Sequence, residues 1–207
     1  MKPENRLLFG PLAAALLTLG IAVLPLWVPG YSQVHQTVSE IGEMDSPARI
    51  PFAIMLCAVS LCLLTFAVGV SAESKRSGHG SWSAYLIACM AVSGAGVGIF
   101  AFPHPLHNVF GLSETIGYQA PLAFALSWRS DPEAKRLVAF SWVMFALIWV
   151  SIALNLSSLD RHGALWLEMK PVYGVIQRLL FVAWFGWCAG IGLLLRQHRR
   201  TRSVSSG

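Results

Sequence analysis

Six stretches of nearly unbroken apolar residues, separated by short polar bends, organise this chain; they cover 7–28, 50–71, 82–102, 112–128, 137–156 and 172–195. A hydrocarbon core of about 30 Å takes roughly 20 helical residues to cross, and five of the runs reach that length. The fourth is shorter and is interrupted by Glu114, Gln119 and Pro121. Proline is tolerated in a span when neighbouring helices satisfy the backbone groups it frees. The pattern therefore predicts an all-α integral membrane bundle of six transmembrane helices, forming a single domain over 1–207. The first run reads as a retained helix rather than a secretion signal. A signal's apolar region is about 7–15 residues and ends in small residues, whereas this one continues through Leu24, Leu26 and Trp27.

Charge sets the expected orientation. Lys2 and Arg6, then Lys75 and Arg76, then Arg129, Lys135 and Arg136, and finally the tail cations Arg196, Arg199, Arg200 and Arg202 all fall on one side if every run crosses. The other side keeps only Arg49, Arg161 and Lys170, with Arg178 slightly inside the last run. Positive charge collects on the cytoplasmic side, so both termini are expected inside, in the cytoplasmic membrane if the source is bacterial. Trp27, Tyr31, Trp166 and Tyr173 then fall at the outer interface and Trp82, Tyr85 and Trp128 at the inner one, where amphipathic rings are favoured.

Composition agrees: 55% of the residues are hydrophobic and 12% charged, against about a quarter charged in soluble domains. Cys57, Cys62, Cys89 and Cys188 all lie inside apolar runs, where free cysteine behaves as a small hydrophobe. The basic tail suits anionic lipid, worth about 1 kcal/mol per cation near the surface, and not nucleic acid. Gly94 with Gly98, and Gly186 with Gly190, form small-residue faces that let helices approach closely in lipid. Packing within the bundle is the first use of these faces, and a homo-oligomer seam the second.

The chemistry-bearing residues gather in the outer bends. In residues 31–42, Val34, Val38 and Ile41 share one side of a helical wheel, while Ser32, His35, Ser39 and Glu43 share the other, which predicts a short amphipathic helix. The next outer bend carries His104 and His107 around Pro105, a residue that favours a fixed turn. His35, His104 and His107, with Glu40 or Glu114, would make a zinc-type donor set, but neither an HExxH motif nor paired cysteines accompany them; no cofactor is assigned. Arg178 lies about 8 Å below Tyr173 at 1.5 Å per residue. Buried charges in spans usually face a bundle interior, so Arg178 is expected to pair with Glu114 or Glu40. His35, Ser39, Glu40, His104, His107, Glu114 and Arg178 together form the candidate pocket. Arg178→Leu should disrupt it, while Arg161→Leu should be tolerated.

Several of these segments resemble the bacterial and archaeal membrane family known as domain of unknown function 998. The resemblance rests on Tyr31-Ser32 with Val38-Ser39-Glu40-Ile41-Gly42, on Gly94 and Gly98 leading to Phe100, Phe102-Pro103 and His107, and on Gly174-Val175-Ile176-Gln177-Arg178. It covers nearly the whole chain and implies six helices. It departs in the second outer bend, where that family tends to have an acidic residue after Phe-Pro and a glycine after the histidine; here these positions hold His104 and Asn108. The resemblance implies no activity.

The residues themselves favour a bundle that binds a lipid or other amphiphile by its headgroup in an outward-facing polar pocket. The alternative is a lipid hydrolase or transferase, with a histidine base or a metal-activated water. A transporter is disfavoured because the inner halves of the runs are nearly free of charge, and a scaffold for other membrane proteins, using the glycine faces, comes last.

Overall fold

The computed structural model describes residues 2–205, which form helices and turns with no strand among them. The chain enters through a short α1 (Pro3–Arg6) and α2 (Phe9–Val23), the latter ending in a 3-10 turn at Leu24–Trp27. Then come α3 (Arg49–Arg76), α4 (Trp82–Ile99), α5 (Pro105–Gly117), α6 (Ala120–Trp128), α7 (Lys135–Asn155), α8 (Ala164–Met169) and α9 (Tyr173–Ser205). Five helical stretches are long and apolar enough to cross a membrane: Glu4–Trp27, Arg49–Arg76, Trp82–Ile99, Pro132–Leu159 and Ala164–Thr201. They coincide with five of the six apolar runs.

The fourth run departs from the expected single helix over 112–128. It starts seven residues earlier, at Pro105, and breaks into α5 and α6 at Tyr118–Gln119. Pro121 is the cause: lacking an N–H, it cannot donate to the carbonyl four residues back. That carbonyl belongs to Gly117, and it instead accepts from the Trp184 indole of α9 at 3.0 Å. The Ala120 carbonyl, at the start of α6, accepts an additional bond from the Ser83 hydroxyl of α4 at 3.0 Å. Both donors are buried, so neighbouring helices replace the broken ladder, the condition for a discontinuous helix in an apolar medium.

α3 packs between α2 and α4, α9 packs on α2 and α7, and α6 packs on α4 and α7. Trp128, Trp184, Trp187, Phe66 and Phe124 are the largest fully buried side chains. The Phe124 ring stacks on Trp128 at 5.1 Å between centroids, and the Trp187 indole donates to the Ser141 hydroxyl at 3.0 Å. Apolar residues such as Leu19, Leu61 and Val150 remain exposed on the outside, as a lipid-facing surface requires. The glycine faces are filled from within the chain. Gly94 and Gly98 meet Ser60 and Leu56 of α3, while Gly186 and Gly190 meet Met144 and Phe140 of α7.

Two contacts define the ends of the bundle. At one end the Met44 amide donates to the Phe102 carbonyl at 2.9 Å, joining the bend after α2 to the bend after α4. At the other, His79 Nε2 donates to Asp131 Oδ2 at 3.2 Å, joining the bend after α3 to the bend after α6. Together α5 and α6 therefore run from the first end to the second.

Candidate functional site

The bend at 31–42 is not the predicted amphipathic helix. It is a run of turns closed by a 3-10 turn at Val38–Gly42, which still buries Val38 and Ile41. Glu40 Oε2 accepts the Thr37 amide at 2.7 Å and so caps that turn. The whole segment is pressed against the start of α9. The Gly174 amide donates to the Val34 carbonyl at 2.9 Å, and a Cβ at Gly174 would fall 2.6 Å from the Gln33 carbonyl oxygen.

Arg178 holds this segment in place, and here the expected ion pair with Glu114 or Glu40 gives way to a different arrangement. Nη1 donates to the carbonyls of Gln33 at 2.8 Å, Gly174 at 3.0 Å and Gln36 at 3.1 Å. Nη2 donates to the Tyr31 phenol at 2.8 Å, and that phenol donates onward to the Thr37 carbonyl at 2.6 Å. Burial pushes the Tyr31 phenol above its usual pKa, an effect that Arg178 beside it partly offsets. A planar fork of donors suits several converging acceptors. Arg178 is thus a clamp on the bend, and it lines neither part of the recess described next.

Beside this clamp lies a continuous recess. Its upper, polar part encloses about 360 Å3 and is bordered by His35, Ser39, Glu40, His107, Asn108, Arg161, Lys170 and Gln177. Its lower part encloses about 420 Å3 and descends between α5 on one side and α7 and α9 on the other, past Glu114 and Tyr118. Ser39, His107, Asn108, Ser158, Tyr173 and Gln177 border both parts. Of the seven candidate residues, His35, Ser39, Glu40, His107 and Glu114 line the recess, whereas His104 and Arg178 do not.

The histidines differ in what they can offer. His107 is buried, and its Nδ1–H donates to the Phe100 carbonyl at 2.8 Å, leaving Nε2 as an acceptor. His35 is exposed, with Nδ1–H donating to the Pro171 carbonyl. His104 caps α5 by accepting the Leu106 amide at 3.1 Å and lies against Phe100, so it does not join His107 at a common point as its spacing suggested. Among the described residues no three His, Cys, Asp or Glu side chains are grouped to hold a metal ion, and the zinc-type set is not assembled.

Two cations of the recess, Arg161 and Lys170, were seen in the sequence only as part of the charge pattern. The chain between α7 and α9 brings them round. The 3-10 turn Leu156–Leu159 leads to Arg161, whose guanidinium lies 5.9 Å from the Trp166 ring centroid, and Lys170 opens the turn before α9. Arg161 thus borders the recess, although the charge pattern alone gave it no place there. Gln177 is a further contributor: its Oε1 accepts the Val38 amide at 2.6 Å, leaving its amide nitrogen available. Glu114 accepts from Tyr118 at 3.2 Å, so one carboxylate oxygen is engaged.

The profile of the family described as protein of unknown function, DUF998, matches residues 11–194. The chain belongs to that family. Neither the curated proteins nor the solved structures contain a significant match. The DUF998 match spans every segment that builds the recess, from the bend at 31–42 to Gln177 and Phe181.

Proposed function

We propose that this DUF998 protein is a membrane protein of six crossings, with α5 and α6 together forming the fourth, both termini on the cytoplasmic side, and a recess at the outer end that binds the anionic headgroup of a lipid. The traverse of α5–α6 from one end of the bundle to the other supports the sixth crossing. The cation-rich bends at the His79–Asp131 end support the orientation.

One observation carries the binding reading. Arg161 and Lys170 border a polar recess and have no carboxylate partner among the described residues. A guanidinium and an ammonium on one rim match a phosphate or carboxylate by charge and by donor geometry. Glu40, His35, His107 and Gln177 would receive or donate to the hydroxyls of such a headgroup. The test is binding of phosphatidylglycerol in phosphatidylcholine nanodiscs containing the full-length protein. The doubly substituted Arg161→Ala/Lys170→Ala protein should bind it at least tenfold more weakly at unchanged thermal stability. Equal affinity of the wild type for phosphatidylglycerol and phosphatidylcholine would refute the reading.

A further inference from the structure

The lower part of the recess is chemically unlike the upper part. Below His107 its walls are Leu112 on α5, Ile152 and Leu156 on and just after α7, and Leu180 and Phe181 on α9. α5 packs along α4 and makes no substantial contact with α7 or α9, whereas α6 packs firmly on α7. The break at Tyr118–Gln119 separates these two behaviours. Below it the bundle is closed; above it a gap separates α5 from α7 and α9, and Leu112 and Leu156 at the gap are 72% and 53% exposed.

We infer that this gap is a lateral acyl-chain groove, through which a membrane phospholipid enters from the bilayer with its chain between α5 and α7–α9 and its headgroup in the polar recess. The inference rests on the headgroup reading and adds to it the class of ligand and the route of entry. Continuity is the first argument: six residues border both parts, so an occupant of the upper part meets the apolar groove directly. Charge is the second, because the cations stand at the upper rim and the groove below carries none. That order, anion-binding rim above and apolar slot beneath, is the order of headgroup and chain in an outer-leaflet lipid. Glu114 and Tyr118 supply the polar step within the slot, at the level where the α5–α6 break closes it. A soluble phosphate or sugar phosphate would use the rim and leave the slot without purpose.

Gly111 makes the inference testable. It borders the groove, and a Cβ built there meets nothing within 4 Å, so a large side chain fills the slot rather than the core. Replacing a mid-helix glycine also favours the helix. In phosphatidylcholine nanodiscs, Gly111→Phe is expected to weaken phosphatidylglycerol binding at least tenfold while leaving the affinity for glycerol 1-phosphate, the headgroup alone, as in wild type. Arg161→Ala/Lys170→Ala should weaken both. If Gly111→Phe binds phosphatidylglycerol normally while the double variant does not, the groove is refuted and the headgroup reading stands. If the double variant binds both probes normally, the headgroup reading itself is lost. Wild-type protein supplies a check independent of any variant. A phosphatidylglycerol carrying a diazirine in its acyl chain should label 111–115, 152–159 and 180–181 preferentially; labelling spread evenly over the lipid-facing helices would overturn the proposal.

Discussion

The two ends of the bundle treat charge in opposite ways. At the end that holds the Lys- and Arg-rich bends, Glu73 is almost wholly buried, accepts from Arg76 Nε at 3.0 Å and lies 3.6 Å from Arg199, which in turn reaches Glu4 at 3.4 Å. Nearby, Asp131 pairs with His79, whose ring sits 4.2 Å from that of Trp128. Acid and base there satisfy each other and tie α1, α3 and α9 together. At the recess end the terminal nitrogens of Arg178 bind backbone carbonyls and a phenol, Glu40 caps a turn, and Arg161 and Lys170 face the recess without an acidic partner among the described residues. Internal neutralisation builds a structural seal, whereas cations left unneutralised on a concave rim create a place for an outside anion.

Substitutions can break this contrast in order of severity. Gly174→Ala should have the largest effect, because the added Cβ meets backbone carbonyls rather than a movable side chain. Overpacking costs typically 1–3 kcal/mol and more where nothing can shift, so a loss of about 3 kcal/mol is expected in thermal melts, together with loss of headgroup binding. Glu73→Gln should cost roughly 3 kcal/mol, the lower end for breaking a buried pair because Arg76 is partly exposed. It should leave phosphatidylglycerol affinity unchanged; a parallel loss of binding would show that the two ends are coupled. Trp184→Phe strands the Gly117 carbonyl and should cost about 1–3 kcal/mol. Arg161→Ala should shift stability by less than about 0.5 kcal/mol yet weaken phosphatidylglycerol binding severalfold, more so at low salt than at high. A large stability loss there would mean that Arg161 is part of the scaffold instead.

Much of the fold was legible because crossing a membrane demands length and apolarity, and both are written residue by residue. The α5–α6 break was half legible. Pro121 and Gln119 marked the weak run, but its start was missed because Pro105 was read as a turn rather than as the first residue of a helix capped by His104, a position that suits proline. Five recess residues were legible from residue type and bend. Arg178 was singled out rightly as unusual and given the wrong partners, since it binds main-chain carbonyls, which every segment possesses and no sequence motif announces. Arg161 and Lys170 were missed for a related reason: they sit in a connector whose path over the recess depends on α8 and two 3-10 turns, none of which has a strong periodic signal.

The proline discontinuity also sets how cooperatively this bundle opens. With the ladder interrupted at Gly117, residues 105–117 pack substantially on α4 alone, while 120–128 are packed between α4 and α7. Local unfolding follows such differences in contact, so deuterium uptake should divide sharply at Tyr118, the upper half exchanging well before the lower.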